Sequence, residues 1–192
     1  MHFALGTNKL SSCIGTVAST VRYVKNGCVD WLLGIPSIVL ALLGAHVGTR
    51  LQLMVDEKYL KFVLLIVLPV IAVILLRKKE LPETRKAINE WYRRAIVWGF
   101  SLVIGTYDGF YGPGTGTFLI LLLTSLAHLK LNTANGVAKA INLATNIAAA
   151  AVFLTNGSTL YLLGLGAGLF SIAGSYAGTV CFEKGGAKIV RP

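Results

Sequence analysis

The chain is poor in charge. Asp, Glu, Lys and Arg make up 14% of its 192 residues, only 8 of them acidic, and from Ala140 to Phe182 there is no charged side chain at all. Runs of that kind leave no solvated face for an ordinary globular domain. Cysteine is scarce as well. Cys13, Cys28 and Cys181 are odd in number and share no metal-like spacing, which excludes a disulfide framework and argues for small buried thiols. There is no Ser/His/Asp set and no metal cluster. Gly112-Pro-Gly-Thr-Gly116 lacks both the following Lys-Ser/Thr and the preceding strand of a phosphate-binding loop. We therefore expect no enzyme, no metal and no cofactor. His2 to Leu10 shows no basic stretch followed by an apolar core, so no cleavable signal is read there.

What the sequence does have is apolar surface: 55% hydrophobic residues and a mean hydropathy of +0.69. Apolar segments run over 4–24, 31–49, 59–76, 95–107, 116–128, 134–154 and 159–182. They predict an all-α, multi-pass bundle whose partner is the lipid bilayer. The uncharged run can hold two crossings of about 20 residues each, joined by Thr155-Asn156-Gly157-Ser158. A net charge of +10 would suggest nucleic acid in a soluble protein. Here the cations cluster between apolar runs, as the positive-inside rule requires, and no basic stripe with interleaved aromatics exists, so no nucleic acid is expected. The segment 59–76 is predicted to face lipid. The segments 31–49 and 159–182 carry glycines at spacing four and are predicted to pack inside the bundle. Residues 77–94 read as a cytoplasmic basic loop with seven Lys/Arg, in which Pro82 opens a short surface helix ending near Arg94.

A shift of 130 residues aligns Ala4 with Ala134, Gly6 with Gly136, Lys9 with Lys139 and Asn26-Gly27 with Asn156-Gly157. It also aligns Leu32-Leu33-Gly34 with Leu162-Leu163-Gly164, and Gly44, Gly48 and Thr49 with Gly174, Gly178 and Thr179; in all, twelve identities fall in 46 ungapped positions. Three regions follow: 1–76 as a shortened first repeat, 77–94 as the loop, and 95–192 as a second repeat without its final helix. On this reading both ends are clipped, and a non-transporting fragment that assembles with a complementary half stays open as a function.

Gly105-Thr-Tyr-Asp-Gly-Phe-Tyr-Gly-Pro-Gly-Thr-Gly-Thr-Phe118 sets an acid, five glycines and a proline between two apolar runs. Broken helix at membrane depth is tolerated only where it is buried in protein or lines a cavity, and an ionisable residue there points to a transport site. As one helix, 95–128 would measure about 50 Å, too long for one core of ~30 Å. Either it is one broken crossing, with Lys/Arg divided nine inside to seven outside, or it is a hairpin, with thirteen to three. The charge bias favours the hairpin, which would make the two repeats inverted.

In the break, Gly112, Gly114, Thr115, Gly116 and Thr117 would open a short helix whose first N–H groups suit an oxyanion. The alternative is a tightly packed break with no ligand. Asp108 can carry a coupled proton, pair with a buried lysine, or cap the short helix. Lys9 and Lys139 are cations on apolar segments and should face a cavity or a partner, or else snorkel. Asn142 and Asn146 share the polar face of Lys139, either at substrate or in helix contacts; Asn8 adjoins Lys9.

Ala4-Leu-Gly-Thr-Asn8-Lys9, Gly27-x-Val29-Asp-Trp31, Asp108-Gly-Phe-Tyr-Gly-Pro-Gly-Thr-Gly116, Ala138-Lys139-x-x-Asn142 and Lys184-Gly-x-x-Lys188-Ile-Val-Arg-Pro192 together resemble the sulfite exporter TauE/SafE family over essentially the whole chain. The resemblance implies an inner-membrane, multi-pass secondary transporter of small, sulfur-containing anions. Family members usually carry a further glycine-rich motif before the Asn-Lys segment and a further helix after the Arg-Pro. Discrete polar clusters at 108–117 and 139–146 favour a carrier over a passive anion channel. A second copy of the chain is left open as a partner.

Overall fold

A computed structural model describes residues 1–62, 65–66, 69 and 88–185, with the side chains of 183–185 outside it. The described residues form helices and contain no strand. The helices are α1 (His2–Lys25), α2 (Trp31–Met54), α3 (Glu90–Phe110), α4 (Thr115–Ser125), α5 (Leu131–Thr155) and α6 (Tyr161–Gly185). Residues 57–62 are also helical. Trp31–Met54, Leu131–Thr155 and Tyr161–Phe182 are long and apolar enough to cross a membrane.

Helix ends are set by local chemistry. The Asp30 carboxylate accepts from Leu32 N and Leu33 N (3.1 and 3.3 Å) and so starts α2. Asn89 accepts from Trp91 N at 2.9 Å and starts α3. The turns after α1 and α5 are near-copies. Asn26 and Asn156 both sit close to φ −85°, followed by Gly27 and Gly157 at φ 66° and 65°. The left-handed glycine stops each helix and turns the chain back.

The bundle is organised by α1 and α5, which lie antiparallel. A Cβ on Gly6 would fall 2.2 Å from the Ser158 carbonyl oxygen, and a Cβ on Gly136 would fall 2.4 Å from that of Cys28. Each helix thus starts against the turn that follows the other, and a 130-residue shift exchanges the two contacts. Two further pairings obey the same exchange: α1 packs on α6, and α5 packs on α2.

The α3–α4 segment forms a hairpin. Arg93, at the start of α3, donates from Nε to the Ala127 carbonyl just past α4, at 3.0 Å. Among the described residues, the apolar core joins Val97 and Ile104 of α3, Leu119 and Leu123 of α4, and Val137 and Ile141 of α5.

Three expectations change. First, α3 begins at Glu90 and runs through Arg94, so no surface helix ends there and the basic loop does not extend to 94. Arg93 is buried and also pairs with Glu90; with its charge and donors satisfied it can leave water. Second, α6 does not pack inside the bundle. It touches α1, where Gly164 and Gly168 receive Leu10 and Ile14, while Gly166, Gly174 and Gly178 meet nothing within 4 Å among the described residues. Its Leu162, Leu169 and Phe170 are exposed. Third, glycine closeness is instead spent between α2 and α3, where Gly44 and Gly48 face Thr106, and Gly105 and Gly109 face Ala41 and Ala45. Of the segment 59–76, residues 59, 61, 62, 65, 66 and 69 are exposed and most of the rest lies outside the described residues, as does 77–87.

The backbone contact between α2 and α3 is testable. A Cβ at Gly109 would meet the Ala45 carbonyl oxygen at 2.1 Å, which no side-chain adjustment relieves. Gly109→Ala should lower stability by about 1–3 kcal/mol, whereas Gly166→Ala, with open space around it, should not. Thermal unfolding in detergent compares the two; equal effects would contradict the packing.

Candidate functional site

Lys9 sits seven residues into α1, about 10 Å along the helix axis, and is buried. Its ammonium pairs with Asp108 Oδ2 at 2.8 Å. It also donates to Asn146 Oδ1 at 3.3 Å. Asp108 is buried in the last turn of α3, where its Oδ2 has the Lys9 ammonium as its partner and its Oδ1 accepts from Thr115 Oγ1 at 2.7 Å. Of the roles its sequence left open, the carboxylate takes the pairing with a lysine; it does not cap α4, whose N-cap Gly114 has no side-chain hydrogen bond, and it reaches that helix only through the Thr115 hydroxyl. A lone charge at such depth is expensive, and pairing with satisfied hydrogen bonds makes both ions tolerable.

The break itself is a glycine device. Gly112 and Gly114 have φ of 91° and 81°, a region closed to most side chains. At Gly112 a Cβ would stand 3.0 Å from Lys9 Nζ and 3.1 Å from Asp108 Oδ1, so the missing side chain is what lets the ion pair form against the backbone. Tyr107 donates its hydroxyl to the Pro113 carbonyl at 2.7 Å, and its ring meets Phe118 edge-on with centroids 6.0 Å apart. These contacts hold α3 and α4 at a fixed angle.

From the ion pair a polar string runs along α5. Asn146 Nδ2 donates to Asn142 Oδ1 at 3.0 Å. A Cβ on Gly116 would come within 3.5 Å of Asn142 Nδ2, which brings the first turn of α4 beside that amide. One turn before Asn142 lies Lys139. It lines a cavity of about 420 Å³ with Thr117, Asn135, Tyr23, Ser175 and Thr179, and apolar side chains complete the wall. No carboxylate lines this cavity among the described residues. Thr20 Oγ1 donates to the Lys139 carbonyl at 3.2 Å and fixes α1 against α5 there.

Most of the residues singled out by sequence thus converge on one interior zone. Lys9, Asp108, Gly112 and Thr115 meet directly; Gly116 and Asn142 adjoin them; Thr117 and Lys139 line the cavity. Gly114 caps α4 beside them. Asn8 does not belong, because its side chain is exposed: a helical neighbour of Lys9 points about 100° away from it. Asn146, which the sequence placed on the polar face of Lys139, links Lys9 to Asn142. Ser175 and Thr179 of α6 came without a signal, since hydroxyls are common in apolar helices.

The pairing sets a stability expectation. Lys9→Met should leave the Asp108 carboxylate buried and unpaired and cost about 3–5 kcal/mol. Adding Asp108→Asn should return most of that loss. A double-mutant cycle read by thermal unfolding in detergent checks it, and simple additivity of the two substitutions would argue against a coupled pair.

The comparisons with known proteins follow the same lines. The chain is 32% identical over 192 residues to a probable membrane transporter protein, ORF9, of a Sinorhizobium species, covering 98% of this chain and 72% of that one. It is 29% identical to a probable membrane transporter protein of Haemophilus influenzae and 28% identical to the probable membrane transporter protein YfcA of Escherichia coli K12, covering 74% and 70% of those chains. No solved structure matches. The model of the family described as sulfite exporter TauE/SafE matches residues 1–192, and this chain belongs to that family of membrane transporters.

Proposed function

We propose that this protein is a secondary transporter of a small, sulfur-containing oxyanion, held between Lys139 and the first turn of α4, across the inner membrane that it crosses several times. The observation that carries the reading is an asymmetry between two cations. Lys9 is neutralised by Asp108, whereas Lys139 faces a cavity of about 420 Å³ that no carboxylate lines among the described residues. A half-buried ammonium beside hydroxyls and an amide is an anion receptor in need of an anion. Thr117 and Gly116 lie in the first turn of α4, where N–H groups are left free by the helix geometry and the helix dipole favours negative charge. The family description supplies the sulfur oxyanion as the substrate class. The related names are those of transporters and none is an enzyme's.

Two inverted halves would give such a carrier its mechanism. The antiparallel α1 and α5, with contacts exchanged by the 130-residue shift, support that plan. Rocking one half against the other would then expose the mid-depth lysines alternately to each side.

Anion binding is the direct test. The purified protein in detergent should bind sulfite or methanesulfonate, and Lys139→Ala should weaken binding roughly ten- to a hundredfold, the worth of a charge-assisted hydrogen bond. Lys25→Ala, at the exposed end of α1, should have no effect. Equal affinity in the Lys139 variant would remove that residue from the site.

Membrane placement is tested separately. In a background with Cys13, Cys28 and Cys181 replaced, Asn132→Cys should react with an impermeant thiol reagent from the cytoplasmic side and Asn156→Cys from the opposite one. Labelling of both from one side would reject the crossing by α5.

A further inference from the structure

The ion pair poses a question that the anion site alone does not answer, namely why a carrier of anions should keep a carboxylate at its centre. We infer that Asp108 is the proton-carrying group of the transport cycle: on taking up a proton it releases Lys9, and the freed ammonium then holds the substrate's oxyanion. This rests on the anion-transport reading above and adds its coupling ion.

Three observations carry it. First, Lys9 and Asp108 are both buried and bonded to each other at 2.8 Å, and Asp108 is the one acidic partner of Lys9 among the described residues. An oxyanion approaching Lys9 must therefore displace a fixed negative charge or see it neutralised. Second, Thr115 Oγ1 lies 2.7 Å from Asp108 Oδ1 and 2.7 Å from the Gly112 carbonyl oxygen. A hydroxyl has one hydrogen, so it serves one of these acceptors at a time. With Asp108 ionised, Thr115 donates to the carboxylate. With Asp108 neutral, the carboxyl O–H donates to Thr115 Oγ1 and Thr115 donates to Gly112. Oδ1 of Asp108, the Thr115 hydroxyl and the Gly112 carbonyl are thus satisfied in both protonation states where they stand, and what protonation removes is the charge that holds Lys9 to Oδ2. Third, Lys9 retains Asn146 Oδ1 as an acceptor in either state, so the ammonium stays in place when Asp108 lets go.

The charge balances. A proton from water converts the Asp108 carboxylate to a carboxyl, and no other bond is made or broken. The resting site holds one positive and one negative charge; the loaded site holds Lys9, a neutral Asp108 and one monoanion. Proton and monoanion thus enter together and the Lys9–Asp108 site stays neutral, which is the condition a low-dielectric site imposes. The hydrogen bonds from Lys9 to Asn146 and from Asn146 to Asn142 run along α5 towards Lys139, which lies one turn before Asn142.

The groups around Asp108 are few. α1 presents Lys9, α4 presents the Thr115 hydroxyl, and α5 presents Asn146, with Asn142 and Lys139 further along. On its own segment stand Tyr107 and Tyr111. α2 sends the Thr49 hydroxyl to Gly109 O, while its His46 and Arg50 are exposed.

Proton uptake can be counted. The purified wild-type protein is titrated calorimetrically with methanesulfonate, whose own group does not titrate, in Tris and in imidazole buffers of different ionisation heat. The expected result is uptake of about one proton per anion, and with it an affinity that falls as pH rises. Asp108→Asn should abolish the uptake and flatten the pH dependence. Should that variant fail to fold, the wild-type count decides alone. Anion binding without proton uptake overturns the inference and leaves the anion-transport reading in place. No binding of methanesulfonate or sulfite at any pH overturns both.

Discussion

A charge buried in a protein's interior must be answered, and in this protein one answer organises that interior. The Lys9 ammonium fixes α1 to the end of α3 through Asp108 and to α5 through Asn146. Asp108 in turn positions α4 through Thr115. Four helices are therefore oriented by a single buried pair. The glycines of the break are a consequence of it: the backbone must come close enough for the carboxylate and ammonium to meet, and a Cβ at Gly112 would stand 3.0 Å from the lysine nitrogen. In lipid, where apolar packing alone gives helices little preference for one another, such polar contacts and small-residue closeness carry the specificity.

Much of this was legible from the chain. The long apolar runs, the uncharged stretch before Glu183 and the Asn-Gly turns are local signals, and the helices fall where those signals lie. The break at 111–114 was legible because glycine and proline act on their own backbone. The hairpin was legible only indirectly, through the cations at its two ends, and its closing contact from Arg93 to Ala127 joins residues 34 positions apart. What the sequence could not reveal are choices between partners. It left Asp108 three roles, because nothing local says that Lys9, on a distant helix, lies 2.8 Å away.

The misjudged elements have physical reasons too. Glycines at spacing four permit close helix contact without requiring it. α2 uses Gly44 and Gly48 against α3, while the matching Gly174 and Gly178 of α6 face open space beside the Lys139 cavity. Arg93 looked like one cation of a loop, yet a carbonyl and Glu90 allow it to be buried as the anchor of the α3–α4 hairpin. Asn8 was included for its place beside Lys9 in the chain. Adjacent residues on a helix point in different directions, and that alone excludes it.

Two lysines 130 residues apart that end in different states give the interior its polarity. Around Lys9 the break of one half supplies a carboxylate, a hydroxyl and a glycine gap; around Lys139 there are hydroxyls, an amide and space. Were both cations neutralised, the core would be a polar clamp with nothing to bind. Were both free, two positive charges would lie along one face of α5 and repel in a low dielectric. One closed pair and one cation beside open space avoid both extremes. The same requirement therefore sets the fold and marks the candidate site: a buried charge must have a partner, Lys9 finds its own in Asp108, and at Lys139 the described residues leave room for one.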